Sequence, residues 1–303
     1  MSEFENFPVL AVVECSGLGD IISSTPAIRS MATEVYKQPV SVSTYRPEAY
    51  KNLPYVDKIY HINDKVDDHH VIRTFNTDKI KKFELCHEKV DIRQFHSLCG
   101  GFMLLPNQMH CDFIADPYED IGLPERYVVV HTAKTWNSRT WEQDKWEKLI
   151  EGLQEAGIVV VSVGQTNNKA PDVPKPVFKV NSDLDLTDQL SLSQCWHVLD
   201  RARIVVTMDS GILHLAGTTD THIVQLGSSI HPYYRAPYRN GTQQYKYDYV
   251  KGDCNLFCAS SVSYTLVKDL PLKISECAEQ YETFECHPPV QKVLNKVLKL
   301  HGI

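Results

Sequence analysis

Residues 203–226, RIVVTMDSGILHLAGTTDTHIVQL, constrain the fold more than any other part of the chain. The β-branched run at 204–207 is typical of a buried parallel strand, and a second apolar run follows at 222–226. Between these runs the sequence Asp-Ser-Gly breaks the strand pattern, because Asp and Ser favour turns and helix caps. The stretch therefore predicts a strand, a turn, a short helix and a second strand, as in a parallel α/β sheet.

The turn formed by Asp209, Ser210 and Gly211 suits a bound phosphate or pyrophosphate. The N–H groups and the positive end of the following helix would point at one spot, and Gly211 has no Cβ to keep a ligand away. His214 lies about one turn further along and can add a donor on the same side. The alternative is an ordinary turn in which Asp209 only caps the helix.

A similar unit opens the chain. Residues 8–15 form an apolar strand, Gly17 and Gly19 lie in the turn that follows, and residues 21–36 have helical spacing. The turn lacks the third glycine of the dinucleotide fingerprint. Asp20 ends this turn at the carboxyl edge of the strand, where open α/β sheets bind ligands, so its carboxylate can act as a general base. The alternative is that Asp20 caps the helix.

The second half of the chain begins with another strand, at 127–131, and a loop rich in hydrogen-bond donors. Lys134 and Arg139 lie in this loop, at the carboxyl end of the strand. Cations in that position suit a diphosphate, whereas the alternative is that both side chains are only solvated at the surface.

Strands that alternate with helices predict an α/β fold with two Rossmann-like domains facing across a cleft. We place the first domain at residues 1–122 and the second at 123–285, because the stretch at 117–126 is polar and contains Pro and Gly. Residues 185–200 are expected to form a helix. A C-terminal amphipathic helix is predicted at 288–300.

Composition narrows the class of protein. The chain has 303 residues, 43% of them hydrophobic, and no apolar run long enough to span a bilayer. Its formal net charge of −7 does not favour a large nucleic-acid footprint. The acidic N-terminus does not resemble a secretory signal, so we expect a cytoplasmic protein whose nine cysteines are mostly thiols or metal ligands.

Four of these cysteines fall near the C-terminus, at Cys254, Cys258, Cys277 and Cys286. Four thiolates can form a tetrahedral site for zinc or iron. The alternative is that they are small core residues, because cysteine also packs as a hydrophobe.

Four blocks of the sequence together resemble glycosyltransferase family 9, the ADP-heptose:lipopolysaccharide heptosyltransferases. The blocks are SGLGDIISSTPAIRSM at 16–31, VVVHTAKTWNSRTWEQDKWEKL at 128–149, ARIVVTMDSGILHLAG at 202–217, and the cysteine pattern of residues 254–286 with the helix that follows it. Residues 46–120 match the family poorly.

The resemblance implies the two-domain glycosyltransferase fold of the B type, in which the C-terminal segment, here residues 286–303, crosses back to the first domain. It also implies a role for each matching residue. Asp20 would be the general base, and the others would bind the donor: Gly17 and Gly19 in the first turn, Thr132, Lys134 and Arg139 along the phosphates, Gln165 at the nucleoside, Leu190 over the base, and Asp209, Ser210, Gly211 and His214 at the diphosphate.

The function that the resemblance implies is inverting sugar transfer without a divalent metal or other cofactor. The donor would be ADP-heptose or a similar nucleotide-diphosphate sugar. The acceptor hydroxyl would belong to a saccharide, a lipid-linked saccharide or a protein, and related folds also modify DNA bases. The alternatives are a nucleotide-sugar epimerase of the same fold and a nucleotide-sugar-binding protein without catalysis.

Overall fold

Two parallel β-sheets organise the chain in the computed structural model, which describes residues 8–66, 71–75, 90–134, 137–166, 177–259, 277 and 284–303. Residues 135–136 of the predicted phosphate loop, and residues 260–276 and 278–283 of the cysteine-rich segment, lie outside the described part. Among the described helices, none is long and apolar enough to cross a bilayer.

The first sheet has four strands in the order β3-β2-β1-β4, all parallel. They are β1 (Val9–Val13), β2 (Val40–Thr44), β3 (Val56–His61) and β4 (Val71–Phe75). Helix α1 (Leu18–Ser30) begins shortly after β1 and continues into a π-helical turn at Met31–Val35. Helix α2 (Ile92–Cys99) packs beside α1. The predicted N-terminal α/β unit is therefore confirmed.

The second sheet has six parallel strands in the order β10-β9-β8-β5-β6-β7. They are β5 (Val128–His131), β6 (Val160–Ser162), β7 (Leu184–Asp185), β8 (Ile204–Thr207), β9 (His222–Leu226) and β10 (Tyr247–Val250). Helices α3 (Gln143–Glu155), α4 (Leu192–Arg201) and α5 (Gly211–Ala216) lie between the strands in sequence. Every residue of β5 and β8 is buried, as expected of central strands covered on both faces.

The helix predicted at 185–200 is wrong at its start. The side chain of Ser191 accepts a hydrogen bond from the backbone N–H of Gln194, and the side-chain Oε1 of Gln194 accepts one from the backbone N–H of Ser191. This capping box begins α4 at Leu192. Of the predicted span, Asp185 belongs to β7, which extends the sheet beside β6, and residues 186–191 form neither helix nor strand.

The terminal helix α6 (Val290–His301) packs on the second sheet, so the prediction that residues 286–303 cross back to the first domain is wrong for the described residues. Its apolar stripe packs against α3: Val293 and Val297 join the core of the second sheet, and Leu294 lies against Gly152. The helix ends at Gly302, whose backbone is left-handed.

The two sheets meet through their helices. Helix α1 of the first domain packs against α5 of the second, and one hydrophobic core continues across this contact. Residues 110–126 contain neither helix nor strand and include the predicted boundary at residue 122. The contact between α1 and α5 brings the carboxyl edges of β1 and β8 together.

Candidate active site

A cleft of about 560 Å³ lies between the two sheets. Most of its wall follows directly after strands, at the edge where parallel α/β sheets bind ligands. The wall contains ten of the residues that the sequence predicts: Gly17, Gly19, Asp20, Arg139, Gln165, Leu190, Asp209, Ser210, Gly211 and His214.

Thr132 and Lys134 are the two predicted donor-binding residues that do not line the cleft. The hydroxyl of Thr132 donates to the backbone carbonyl of Phe178 at 2.7 Å. The ammonium group of Lys134 lies 5.6 Å from the centre of the Phe178 ring. Both side chains therefore hold the loop after β5 against the segment at Phe178.

Asp20 lies in the first turn of α1. The helix is capped by Gly17, whose backbone is extended, so Asp20 is not the helix cap of the alternative interpretation. A Cβ atom at Gly17 would lie 2.9 Å from Asp20 Oδ2, which shows that the carboxylate folds back over this glycine. Among the described residues no side chain or backbone group bonds to this carboxylate, so its oxygens are open to a ligand in the cleft.

Asp209 is the centre of a buried charge cluster on the opposite wall. Its Oδ2 lies 2.9 Å from Arg139 Nη1 and 3.6 Å from Arg235 Nε. Burial alone would raise the pKa of Asp209, but the positive charges of Arg139 and Arg235 and the adjacent His214 hold this pKa below its ordinary value. Asp209 is therefore an anion that keeps two guanidinium groups in place.

Arg235 is a candidate site residue that the sequence analysis missed. It is only 2% exposed, yet it lines the cleft beside Asp209. It lies in the loop after β9, and loops at the carboxyl ends of parallel strands are where such ligand-binding residues are expected. The local sequence around Arg235 has no motif, so only its position in a loop after a strand could have indicated that it binds a ligand.

A second buried group lies behind Ser210. The Nδ1 atom of His131 lies 3.2 Å from the hydroxyl of Thr207 and 3.1 Å from that of Ser210, and the two hydroxyls are 3.1 Å apart. Burial lowers the pKa of His131 to about 4. The imidazole is therefore neutral near pH 7 and orients the Ser210 hydroxyl at the cleft.

The buried imidazole of His131 predicts a specific loss of stability in acid. The pKa of His131 is about 4 in the folded chain and about 6.5 in the unfolded chain. Between these two pH values the imidazole binds a proton in the unfolded chain but not in the folded chain. The free energy of unfolding should fall by about 3 kcal/mol between pH 7 and pH 4 because of this group alone.

The variant His131→Gln isolates that contribution. Urea unfolding of both proteins across this pH range should show that the stability advantage of the unmodified chain shrinks as the pH falls. A constant difference between the two free energies of unfolding would contradict a neutral, buried His131.

The domains approach each other closely at two glycines of the cleft wall. A Cβ atom at Gly19 would lie 2.8 Å from Cδ2 of His214, and one at Gly211 would lie 2.8 Å from Cβ of Leu18. Cβ atoms in proteins are essentially never this close to another heavy atom. The sequence analysis assigned the space at these glycines to a ligand, whereas in the structure the facing domain fills it.

The wall of the cleft contains both apolar and charged side chains. The apolar side chains of the wall include Leu190, Val177, Leu192, Cys195 and Ile212, and Gln165 lines the cleft as well. Arg46 and Glu48 line the cleft from the first domain, as Asp20 does, and the sequence analysis missed both. Arg46 Nε donates to the backbone carbonyl of Ser16 at 3.3 Å, and its Nη1 is 3.7 Å from Glu48.

The two domains contribute different formal charges to the cleft. The second-domain wall has two guanidinium groups and one carboxylate, whereas the first-domain wall has two carboxylates and one guanidinium group. An excess of positive charge suits a diphosphate. An available carboxylate on the first-domain wall suits removal of a proton from a hydroxyl.

The family model described as glycosyltransferase family 9 (heptosyltransferase) matches residues 67–255, well over half of the chain. The chain belongs to glycosyltransferase family 9. It is therefore a glycosyltransferase, as the four sequence blocks predicted. No curated protein matches this family 9 chain in sequence.

Solved structures of other glycosyltransferases share the fold. TibC, an iron-containing dodecameric glycosyltransferase from enterotoxigenic E. coli H10407, is 17% identical over 98% of this chain and 76% of its own, with a TM-score of 0.72. It has also been solved with ADP-D-beta-D-heptose, at 16% identity over 97% of this chain and 76% of its own, with a TM-score of 0.71.

Two further structures match nearly end to end. The family 9 glycosyltransferase of Veillonella parvula is 10% identical over 99% of this chain and 98% of its own (TM-score 0.65). E. coli ADP-heptose lipopolysaccharide heptosyltransferase II is 13% identical over 96% of this chain and 98% of its own (TM-score 0.61). These similarities confirm the predicted B-type fold, with two Rossmann-like domains facing across a cleft.

The four C-terminal cysteines of this family 9 chain lie near one another. Burial, with smaller contributions from Cys258, Cys254 and Cys277, raises the pKa of Cys286 to about 12. Because such interactions weaken with distance, the four cysteines share one region of the fold. Even so, no three His, Cys, Asp or Glu side chains of the described residues are arranged to hold a metal ion.

Proposed function

We propose that this enzyme transfers a heptose from ADP-heptose to an acceptor hydroxyl, with inversion at the anomeric carbon and without a divalent metal. The observation that carries the proposal is that one cleft holds Asp20 from the first domain and the pair Arg139 and Arg235 from the second. The donor is supported by family membership and by the ADP-heptose bound to TibC. The acceptor is a saccharide, a lipid-linked saccharide or a protein.

Asp20 acts on the acceptor. Its carboxylate accepts the proton of the acceptor hydroxyl while the oxygen attacks the anomeric carbon from the side opposite the diphosphate. Because Asp20 has no hydrogen bond within the described chain, it needs no rearrangement before it can accept this proton. Attack from the opposite side inverts the anomeric centre.

Arg139 and Arg235 act on the leaving group. The bond between the anomeric carbon and the phosphate oxygen breaks, and its electron pair stays on the nucleoside diphosphate. Guanidinium groups already held in place by Asp209 stabilise the charge that develops on this oxygen. They can therefore supply the stabilisation that a divalent metal supplies in other transferases.

We expect the purified protein to be stabilised by ADP and ADP-heptose. A ligand that binds only the folded chain, at a concentration of 100 times its Kd, raises the free energy of unfolding by about 2.7 kcal/mol. For a chain of this size that corresponds to an increase in Tm of about 5 °C. A thermal-shift series with ADP, UDP, GDP, CMP, dTDP and their sugars measures it.

The same series separates the proposal from its alternatives. A shift with UDP or GDP alone would reject the adenine nucleotide, and no shift with any nucleotide would reject the donor site. A protein that binds ADP-heptose but releases no ADP with any saccharide, lipid-linked saccharide or protein acceptor would be a binding protein.

We also propose that Cys254, Cys258, Cys277 and Cys286 hold a structural zinc or iron ion, since four thiolates can form a tetrahedral site. Since the described thiols are not arranged as a ligand set, no step of the transfer is assigned to a metal. We expect elemental analysis to find about one zinc or iron ion per chain.

The variant Cys286→Ser should lower the metal content. Cys195→Ser, which removes a buried thiol of α4, should retain it. Equal metal content in both variants, or a metal-free unmodified protein, would contradict the site. The cytoplasmic location stays a prediction.

A further inference from the structure

We propose that Ser23 is a positioning residue for the transfer reaction: by bonding to His214 it fixes the helix that carries Asp20 against the donor-binding loop. The inference rests on the proposed function, because it concerns the alignment of the base with the donor. Ser23 lies in the sequence block at residues 16–31, but the sequence analysis assigned it no role.

Ser23 and His214 meet across the domain contact. The hydroxyl Oγ of Ser23, on α1, lies 3.2 Å from Nδ1 of His214, on α5. Ser23 is fully buried and His214 is 4% exposed, so water does not compete for this bond. Ser23 follows Asp20 by three residues on one helix, and residues with that spacing lie on the same face.

The direction of the bond follows from the surroundings of His214. Its Nε2 lies 3.8 Å from the carboxylate of Asp209, which favours a proton on that nitrogen. Burial lowers the pKa of His214 to about 4, so near pH 7 the ring has only one proton. Nδ1 is therefore the acceptor, and the Ser23 hydroxyl donates to it.

Because α1 and α5 are closely packed, loss of the bond between Ser23 and His214 would affect how the two helices are aligned. Gly19 and Gly211 leave no space between α1 and α5 for a Cβ atom, so the two helices have one closely fitting arrangement. In that arrangement His214 lies between Ser23 and Asp209, and Asp209 contacts Arg139 and Arg235. A continuous set of side chains thus joins the helix of the base to the cations at the donor.

In this arrangement His214 aligns α1 with the donor-binding loop, in addition to lining the cleft. Without the Ser23 hydroxyl, Nδ1 of His214 loses its donor at a buried position, and the ring is no longer held in one orientation. A displacement of about 1 Å between reacting groups can lower the rate about 100-fold. We therefore expect the turnover step to suffer more than donor binding.

The test compares Ser23→Ala with Ser24→Ala. Ser24 is the adjacent buried serine of α1, but its hydroxyl bonds within the first domain, to the carbonyl of Ile21 and the hydroxyl of Tyr50. We expect Ser23→Ala to lower kcat about 10- to 100-fold, with the Kd of the donor changed less than about threefold. Ser24→Ala should lower the Tm by a similar amount and leave kcat within about threefold of the unmodified enzyme.

Two further variants make the result decisive. Ser23→Thr keeps the hydroxyl and should recover part of kcat, whereas Ser23→Val, of similar size, should not. Equal values of kcat for Ser23→Ala and Ser24→Ala, or a donor Kd that weakens as much as kcat falls, would overturn the inference. If Ser23→Ala does not fold, the comparison of Ser23→Thr with Ser23→Val decides in the same way.

A spectroscopic measurement does not depend on transfer. In ¹⁵N-histidine spectra at neutral pH, His214 should have its proton on Nε2 and a hydrogen-bonded Nδ1, and only the Ser23 variants should change the Nδ1 shift. An unmodified protein that transfers no sugar but shows this signature would contradict the proposed function and leave the contact standing. A proton on Nδ1 would overturn the inference itself.

Discussion

Replacing Asp20 by Asn should lower kcat by roughly 10³-fold, the usual contribution of a positioned general base. The amide has nearly the shape of the carboxylate but cannot accept the proton of the acceptor hydroxyl. Because the charge cluster of Asp209, Arg139 and Arg235 lies on the other wall, the Kd for ADP should change less than about twofold. Release of ADP during transfer, with isothermal titration for the Kd, measures both quantities.

The matched control for Asp20→Asn is Asp144→Asn. Asp144 lies in the first turn of α3, as Asp20 lies in the first turn of α1, but it is exposed and pairs with Lys148 at the surface. Its replacement should leave kcat unchanged. Transfer by Asp20→Asn at the rate of the control would reject Asp20 as the base, and a large loss of ADP affinity would place it at the donor instead.

Replacing Asp209 by Ala should destabilise the protein by about 3 to 5 kcal/mol and abolish transfer. The reason is that Arg139 and Arg235, which are mostly buried, would lose the carboxylate that compensates them. Removing one partner of a buried ion pair leaves an unpaired charge away from water. Urea unfolding followed by tryptophan fluorescence measures the loss of stability.

Two comparisons identify the cause of that loss. Asp220→Ala removes an exposed carboxylate that pairs with Lys246, and a surface pair contributes at most about 1 kcal/mol. Adding Arg235→Met to Asp209→Ala should recover part of the stability, because it removes one of the two unpaired cations. Equal losses for Asp209→Ala and Asp220→Ala would contradict the buried cluster.

Much of the site could be predicted from the sequence because its residues lie in local patterns. Asp20 and Asp209 each follow a strand and precede a helix, and that order alone places them at the ligand edge of a sheet. The two-domain fold followed in the same way, from the alternation of strands and helices. The resemblance to family 9 then added the roles.

The rest depends on contacts between distant parts of the chain. Arg235 and Arg46 lie in loops without a motif, and only the tertiary fold brings them to the cleft. The apolar stripe of helix α6 predicts that this helix packs against another part of the protein. It does not predict which surface the helix covers. Thr132 and Lys134 looked suitable by residue type, yet the fold turns them toward Phe178.

The close contact at Gly19 and Gly211 has a consequence for chimeric enzymes. Neither glycine has a left-handed backbone, so neither is required by its own conformation; each is required by the domain opposite. A hybrid that joins the acceptor half of one family member to the donor half of another would inherit only one side of this contact. Compatible parents are therefore those whose residues at these two positions fit together, whatever the similarity of the remaining sequence.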